Sequence, residues 1–93
     1  MEQDELISIN EFCIHYNVES SFINSLQEYG LIEIINTENV LFISKDKLPE
    51  LEKFTRFYYE MDINIEGIEA IANLLQRIHQ LQHEINDLKN KVD

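Results

Sequence analysis

No lysine or arginine occurs before Lys45. Residues 1–44 carry eight acids (Glu2, Asp4, Glu5, Glu11, Glu19, Glu28, Glu33 and Glu38) and no base, a net of -8. The remaining segment sets ten acids against seven bases, a net of -3, so most of the total of -11 is concentrated in the front half. Such a field draws in basic partners and holds polyanions off. Cys13 is the single cysteine, which excludes an intramolecular disulfide framework and points to a reducing compartment. No stretch approaches the ~20 apolar residues that span a bilayer. The acidic segment Met1 to Glu5 also lacks the basic and apolar regions of a secretory leader. The expected location is the cytoplasm, with no membrane partner. The two glycines, Gly30 and Gly67, build no phosphate-cradling loop, and no nucleophile–base–orienter set is visible. Neither an enzymatic activity nor a cofactor is expected.

What is present is a folded composition, 44% hydrophobic and 27% charged, in a 93-residue chain. That is enough for one domain, and small enough for self-association to help its stability. Ser8-Ile9-Asn10-Glu11 reads as a capping box, with Ser8 accepting from the Glu11 amide and the Glu11 carboxylate reaching back. Ile9, Phe12, Cys13 and Tyr16 follow at helical spacing. Tyr16-Asn17-Val18 reads as a tight turn, since asparagine tolerates a left-handed backbone. A second helix is expected from Glu19 or Ser20 to Tyr29, with Phe22, Ile23, Leu26 and Tyr29 on one face. Gly30 stands where a helix end needs positive φ. Two short helices so joined make a helix-turn-helix.

Leu31 to Ile35 and Val40 to Ile43 read as two strands around a polar turn of about four residues, Asn36-Thr37-Glu38-Asn39, a wing. A third helix is expected near Pro49, capped by Ser44 or Asp46, with Leu51, Phe54, Tyr58 and Met61 as its stripe. Asn64 is a good cap for a last helix that runs to the end. There Ile71, Ile78, Ile85 and Val92 are seven apart and interleave with Leu74, Leu81 and Leu88. This is an a/d heptad of β-branched residues and leucine, the combination associated with two-stranded coils. A lone helix of this length is marginal in water, so the stripe predicts a homodimer, parallel or antiparallel.

Other constellations give less. His79 and His83 have the spacing of paired metal ligands but no third ligand in register, so no metal is expected. Cys13 and His15 point in different directions on a helix, and Cys13 reads as a small core residue. Phe54, Phe57, Tyr58 and Tyr59 form an aromatic cluster, expected to pack the third helix against the fourth.

Helix-turn-helix, wing, third helix and dimerising helix follow one another in the order of the MerR superfamily. Three segments go further: Ile9-Asn10-Glu11-Phe12-Cys13, Tyr29-Gly30-Leu31-Ile32-Glu33, and Met61-Asp62-Ile63-Asn64-Ile65-Glu66-Gly67-Ile68. These resemble chaperone modulators of the CbpM type, over roughly residues 7–92. The fold expected is mainly α: a MerR-like winged helix-turn-helix with a short β-hairpin wing and a long C-terminal coiled-coil dimerisation helix. The boundaries expected are 1–62 for the module with its third helix and 63–93 for the dimerisation helix, forming one compact domain overall.

The resemblance implies a non-enzymatic homodimer that binds the J-domain of a DnaJ-like (CbpA-type) co-chaperone. It also implies inhibition of that co-chaperone's stimulation of the DnaK-type chaperone. J-domains of that relation present a basic helix, for which Glu11, Glu19, Glu28, Glu33 and Glu38 are candidate contacts, with Tyr29, Leu41 and Phe42 as apolar anchors. Each acid taken alone equally suits a solvated surface, and each anchor suits core packing. The alternative is a MerR-like transcriptional regulator with weak or partner-dependent DNA binding. Chemistry argues against DNA, because the second helix and the wing offer no cation to clamp a phosphate backbone.

Overall fold

The structure, a computed structural model, describes residues 5–92. The acids Glu2 and Asp4 lie outside the described residues. The elements run β1 (Leu6–Ser8), α1 (Ile9–Tyr16), α2 (Ser20–Glu28), β2 (Ile35–Thr37) and β3 (Val40–Ser44). A 3-10 turn (Lys45–Lys47), α3 (Leu48–Tyr59) and α4 (Ile65–Val92) complete the chain. Four helices with one small antiparallel sheet are the mainly-α winged plan expected.

Ser8 both ends β1 and starts α1. Its hydroxyl accepts from the Glu11 backbone N–H at 3.1 Å, satisfying one of the orphan donors at the helix start. The reciprocal bond from the Ser8 amide to the Glu11 carboxylate is absent among the described residues. Asn17 closes α1 in the left-handed region at φ 56°, ψ 49°. That turn drives Val18 into the core at 8% exposure and sets α2 against α1. Gly30 ends α2 at φ 75°, while the Leu31 N–H reaches back to the Leu26 carbonyl at 2.9 Å.

That capping bond changes the wing. Leu31 to Ile34 is coil rather than strand, with Leu31, Ile32 and Ile34 half-buried against the core. The hairpin proper pairs Ile35 with Phe42, Asn36 with Leu41 and Thr37 with Val40. Its loop is therefore two residues, not four. Glu38 at φ 51° and Asn39 at φ 66° both take positive φ, the signature of a type I′ turn whose twist matches the strands. β1 joins the other edge of β3, giving the order β1-β3-β2. Three residues are too short a run for periodicity to have announced that strand.

Ser44 and Asp46 cap differently from expectation. The Ser44 hydroxyl donates to Asp46 within the 3-10 turn, and neither side chain caps α3, whose first turn holds Pro49. From the expected stripe only Leu51 and Phe54 reach the core; Tyr58 (37% exposed) and Met61 (56%) do not. The aromatic cluster divides: Phe54 and Phe57 lie in or against the core that Ile68 of α4 shares, while the two tyrosines turn elsewhere. Tyr58 and Tyr59 lie 4.7 and 5.3 Å, centroid to centroid, from Phe22 of α2, so they join α3 to the second helix.

The core gathers Ile9 and Phe12 (α1), Val18, Phe22, Ile23 and Leu26 (α2 and its approach), Ile43 (β3), Leu51 and Phe54 (α3), and Ile68 (α4). Each of the four helices and β3 thus buries one side against a common centre, the driving term for a domain of this size. Thr55, the one buried polar residue there, donates to the Leu51 carbonyl at 2.8 Å. Cys13 packs against this core as expected, and burial pushes its thiol pKa up.

Candidate partner-binding surface

The five candidate acids are all exposed, but they do not share one face. Glu19 precedes α2 and Glu28 ends it, so they stand about 13 Å apart along its axis at 1.5 Å per residue. Glu33 lies in the coil after α2, and Glu38 at the hairpin tip. Glu11 occupies the first turn of α1, beside β1. Tyr29 is 37% exposed, and its hydroxyl donates to Glu66 of α4 at 3.0 Å. That bond, ahead of the charges of Glu66, Glu69 and Glu28, raises the Tyr29 pKa.

The sheet sorts the remaining candidates. In an antiparallel ladder, directly opposed residues share a face and neighbours alternate. Ile7, Ile43, Leu41 and Asn36 form the face toward the core, where Ile43 is fully buried and Leu41 lies nearer the tip at 38% exposure. Leu6, Ser8, Phe42, Val40, Ile35, Thr37 and Ser44 form the other. Four of these seven are apolar where solvent would favour polar side chains: Leu6 is 40% exposed, Ile35 37% and Val40 47%, around a half-buried Phe42. Three of the expected contacts border this face or lie on it. Phe42 stands opposite Ser8, whose hydroxyl caps the turn that carries Glu11, while Glu38 precedes Val40 by two residues.

Leu6, Ile35 and Val40 were missed by sequence reasoning, although one signal existed. Val40-Leu41-Phe42-Ile43 is four apolar residues in succession, and a strand must turn two of them away from the core it packs on.

The cation nearest this sheet in sequence is already engaged. Lys45 Nζ lies 2.9 Å from Glu5 Oε1, and the Lys45 N–H donates to the Glu5 carbonyl, also at 2.9 Å, extending β1 against β3. The side-chain bond lowers the Glu5 pKa and raises that of Lys45. The outward side of α2 presents Glu19, Ser20, Ser21, Asn24, Gln27 and Glu28, all exposed and none cationic. Asn24 and Gln27 could reach a base edge only with cationic neighbours to hold the phosphates.

α4 is 28 residues long, about 42 Å of helix. Asn64 caps it as expected, accepting the Gly67 N–H at 2.8 Å. Ile65, Ile68 and Ala72 meet the core. From Gln76 to Lys91 every side chain is exposed. The heptad positions lie on this free stretch and just before it: Ile71 is half-buried, Leu74 63% exposed, Ile78 48%, Leu81 44%, Ile85 53% and Leu88 63%. The side chain of Val92 lies outside the described residues. His79 and His83 are exposed on the same helix, and His83 Nε2 is 3.8 Å from Asp87. Among the described residues no three metal-ligating side chains gather, and no helix is long and apolar enough to cross a membrane.

A helix-turn-helix, a wing and a long terminal helix, in this order, match the MerR HTH family of regulatory proteins over residues 7–90. The chain belongs to that family. It is also 21% identical over 87 residues to the chaperone modulatory protein CbpM of Pseudomonas entomophila (strain L48), across 92% of this chain and 86% of that protein. No solved structure matches it. The family is a regulatory one, and the second helix of this chain, with Glu19 before it and Glu28 at its end, carries no cation.

Proposed function

We propose that this protein is a cytoplasmic, non-enzymatic chaperone modulator that binds the J-domain of a DnaJ-like, CbpA-type co-chaperone. By occupying the basic helix of that domain it would block productive docking on the DnaK-type chaperone and so inhibit its stimulation. The observation that carries this reading is the cation-free front of residues 1–44, net -8, on a fold whose relative is a chaperone modulator. An acidic surface accelerates encounter with a basic partner and disfavours a polyanion. The working form is a homodimer joined through the α4 seam, since a stripe of exposed isoleucine and leucine this long is otherwise a standing liability in water.

The test is a titration against the J-domain of the same organism's co-chaperone at low and high salt, paired with J-domain-stimulated ATPase of the DnaK-type chaperone. Saturable binding that weakens with salt, together with loss of stimulation, is the expected result. Absence of binding at low salt with excess J-domain would remove the proposal. Family membership supports a second reading, a MerR-like regulator of transcription. Specific retention of a promoter fragment at physiological salt, with the J-domain ignored, would put that reading first.

A further inference from the structure

We infer that the outer face of the three-stranded sheet is the docking surface, and that its occupant is the basic, amphipathic helix of the J-domain. This deepens the chaperone-modulator reading and rests on it. Three observations carry it. First, Leu6, Ile35, Val40 and Phe42 are adjacent on one face of the sheet, and none belongs to the core cluster. Apolar side chains grouped in this way supply binding energy in a manner that dispersed surface acids do not.

Second, the rim is acidic. Glu11 flanks the β1 side through the Ser8 cap, Glu38 stands at the hairpin tip, and Lys45 is neutralised by Glu5. An apolar centre with a one-signed rim is the anatomy of an interface for an oppositely charged partner. Sheet-to-sheet pairing of two copies would set Glu11 and Glu38 of one rim against those of the other, which disfavours a second copy as occupant. Third, Glu38 holds φ 51°, a conformation that asparagine or glycine fills at less cost. A glutamate kept there places a carboxylate at the edge of the apolar face at the expense of local strain.

The test titrates the J-domain with wild type, with Ile35→Thr combined with Val40→Thr, with Val40→Arg, and with Glu11→Gln combined with Glu38→Gln. Threonine keeps the β-branch and so the strands. The threonine pair is expected to weaken binding about tenfold, and the arginine to weaken it further by placing a cation against a basic helix. The glutamine pair changes only charge at exposed positions and is expected to slow association and flatten its salt dependence. Circular dichroism and sedimentation should match wild type in all three. If wild type binds and all three sheet variants bind as it does, while Glu19→Lys with Glu28→Lys loses binding, α2 is the contact and this inference is wrong although the modulator reading stands. If wild type does not bind, both fall together. If the sheet variants instead weaken the dimer, the occupant is a second copy, which also overturns the inference.

Discussion

Tyr29, one residue past α2, donates its phenolic hydroxyl to Glu66 in the first turn of α4, across 37 residues of sequence. Two other tyrosines make comparable ties. Tyr16 at the end of α1 donates to Glu52 of α3, and the Tyr59 hydroxyl at the end of α3 accepts the Glu19 N–H at 3.2 Å. The last of these satisfies a donor at the start of α2, where Glu19 supplies no side-chain cap. Each tie runs from a helix end to a neighbouring helix. They fix relative orientation at the periphery, where the core side chains do not reach.

These ties give stability an alkaline dependence. The bonds to Glu52 and Glu66 raise the pKa of Tyr16 and Tyr29 above the ordinary phenol value of about 10. The folded state therefore holds protons that the unfolded state releases, and stability falls as pH rises. The contribution is complete below the unfolded pKa, about 10, and is lost as pH climbs through the folded values. Thermal midpoints measured from pH 8 to 11 should decline in wild type. The decline should be shallower in Tyr16→Phe combined with Tyr29→Phe, and identical slopes would show that the two bonds do not form in solution.

Gly67 lies in the first turn of α4, where alanine normally stabilises a helix by roughly 1 kcal/mol. Here the sign should reverse. A Cβ at Gly67 would meet Ile63 Cγ2 at 2.8 Å and the capping Asn64 Oδ1 at 3.1 Å. Ile63 is β-branched and packed against the core, so it has little room to yield. Urea unfolding of Gly67→Ala should show a loss of about 1–2 kcal/mol, in the range of other overpacked sites. Asn64→Ala should lose about 1 kcal/mol from the missing cap alone. A more stable Gly67→Ala would mean that Ile63 rotates freely.

Much of this fold could be read from residue patterns. Ser8, Asn17, Gly30 and Asn64 announced their helix ends because capping chemistry is local. The apolar stripe along α4 was legible because a heptad repeats. Strand β1 and the true hairpin loop were not, since three-residue strands carry too little periodicity and the Leu31 amide is drawn into the α2 cap. The candidate site was half legible. Phe42, Glu11 and Glu38 were picked for type and charge. That Phe42 shares a face with Leu6, Ile35 and Val40 depends on a register that only the paired strands reveal.

The hairpin tip separates stability from binding. Glu38→Asn with Asn39→Gly installs the pair most favoured in a type I′ turn and should raise stability by about 0.5–1 kcal/mol. The same change removes a rim carboxylate and should slow association with the J-domain. A midpoint shifted upward in urea, alongside a reduced on-rate, is the expected pair of results. A rise in stability with unchanged association would take Glu38 out of the interface.

The seam itself makes a sharper claim, because its charges choose an orientation. Parallel pairing would align Glu84 with Lys89 of the other copy but set two acidic fronts side by side. Antiparallel pairing with Ile78 opposite Leu81 sets Arg77 against Glu84 in both halves and carries the fronts to opposite ends. It also lays the basic end of one helix, with Lys89 and Lys91, along the first turns of the other, with Glu66 and Glu69. Shifting that register by one heptad would face Arg77 with Arg77 or Glu84 with Glu84, so the charges fix it. Antiparallel pairing is therefore expected. In a Cys13→Ala background, Leu74→Cys and Ile85→Cys proteins should each fail to cross-link alone, because like positions then stand about 16 Å apart along the axis. Mixed, they should form disulfides, since 74 and 85 come within bridging distance. Self-linking of each alone, with none gained on mixing, would establish the parallel pair. Ile78→Glu with Leu81→Glu should sediment as a monomer and lose helix content in either case, because the free stretch of α4 is marginal without a partner.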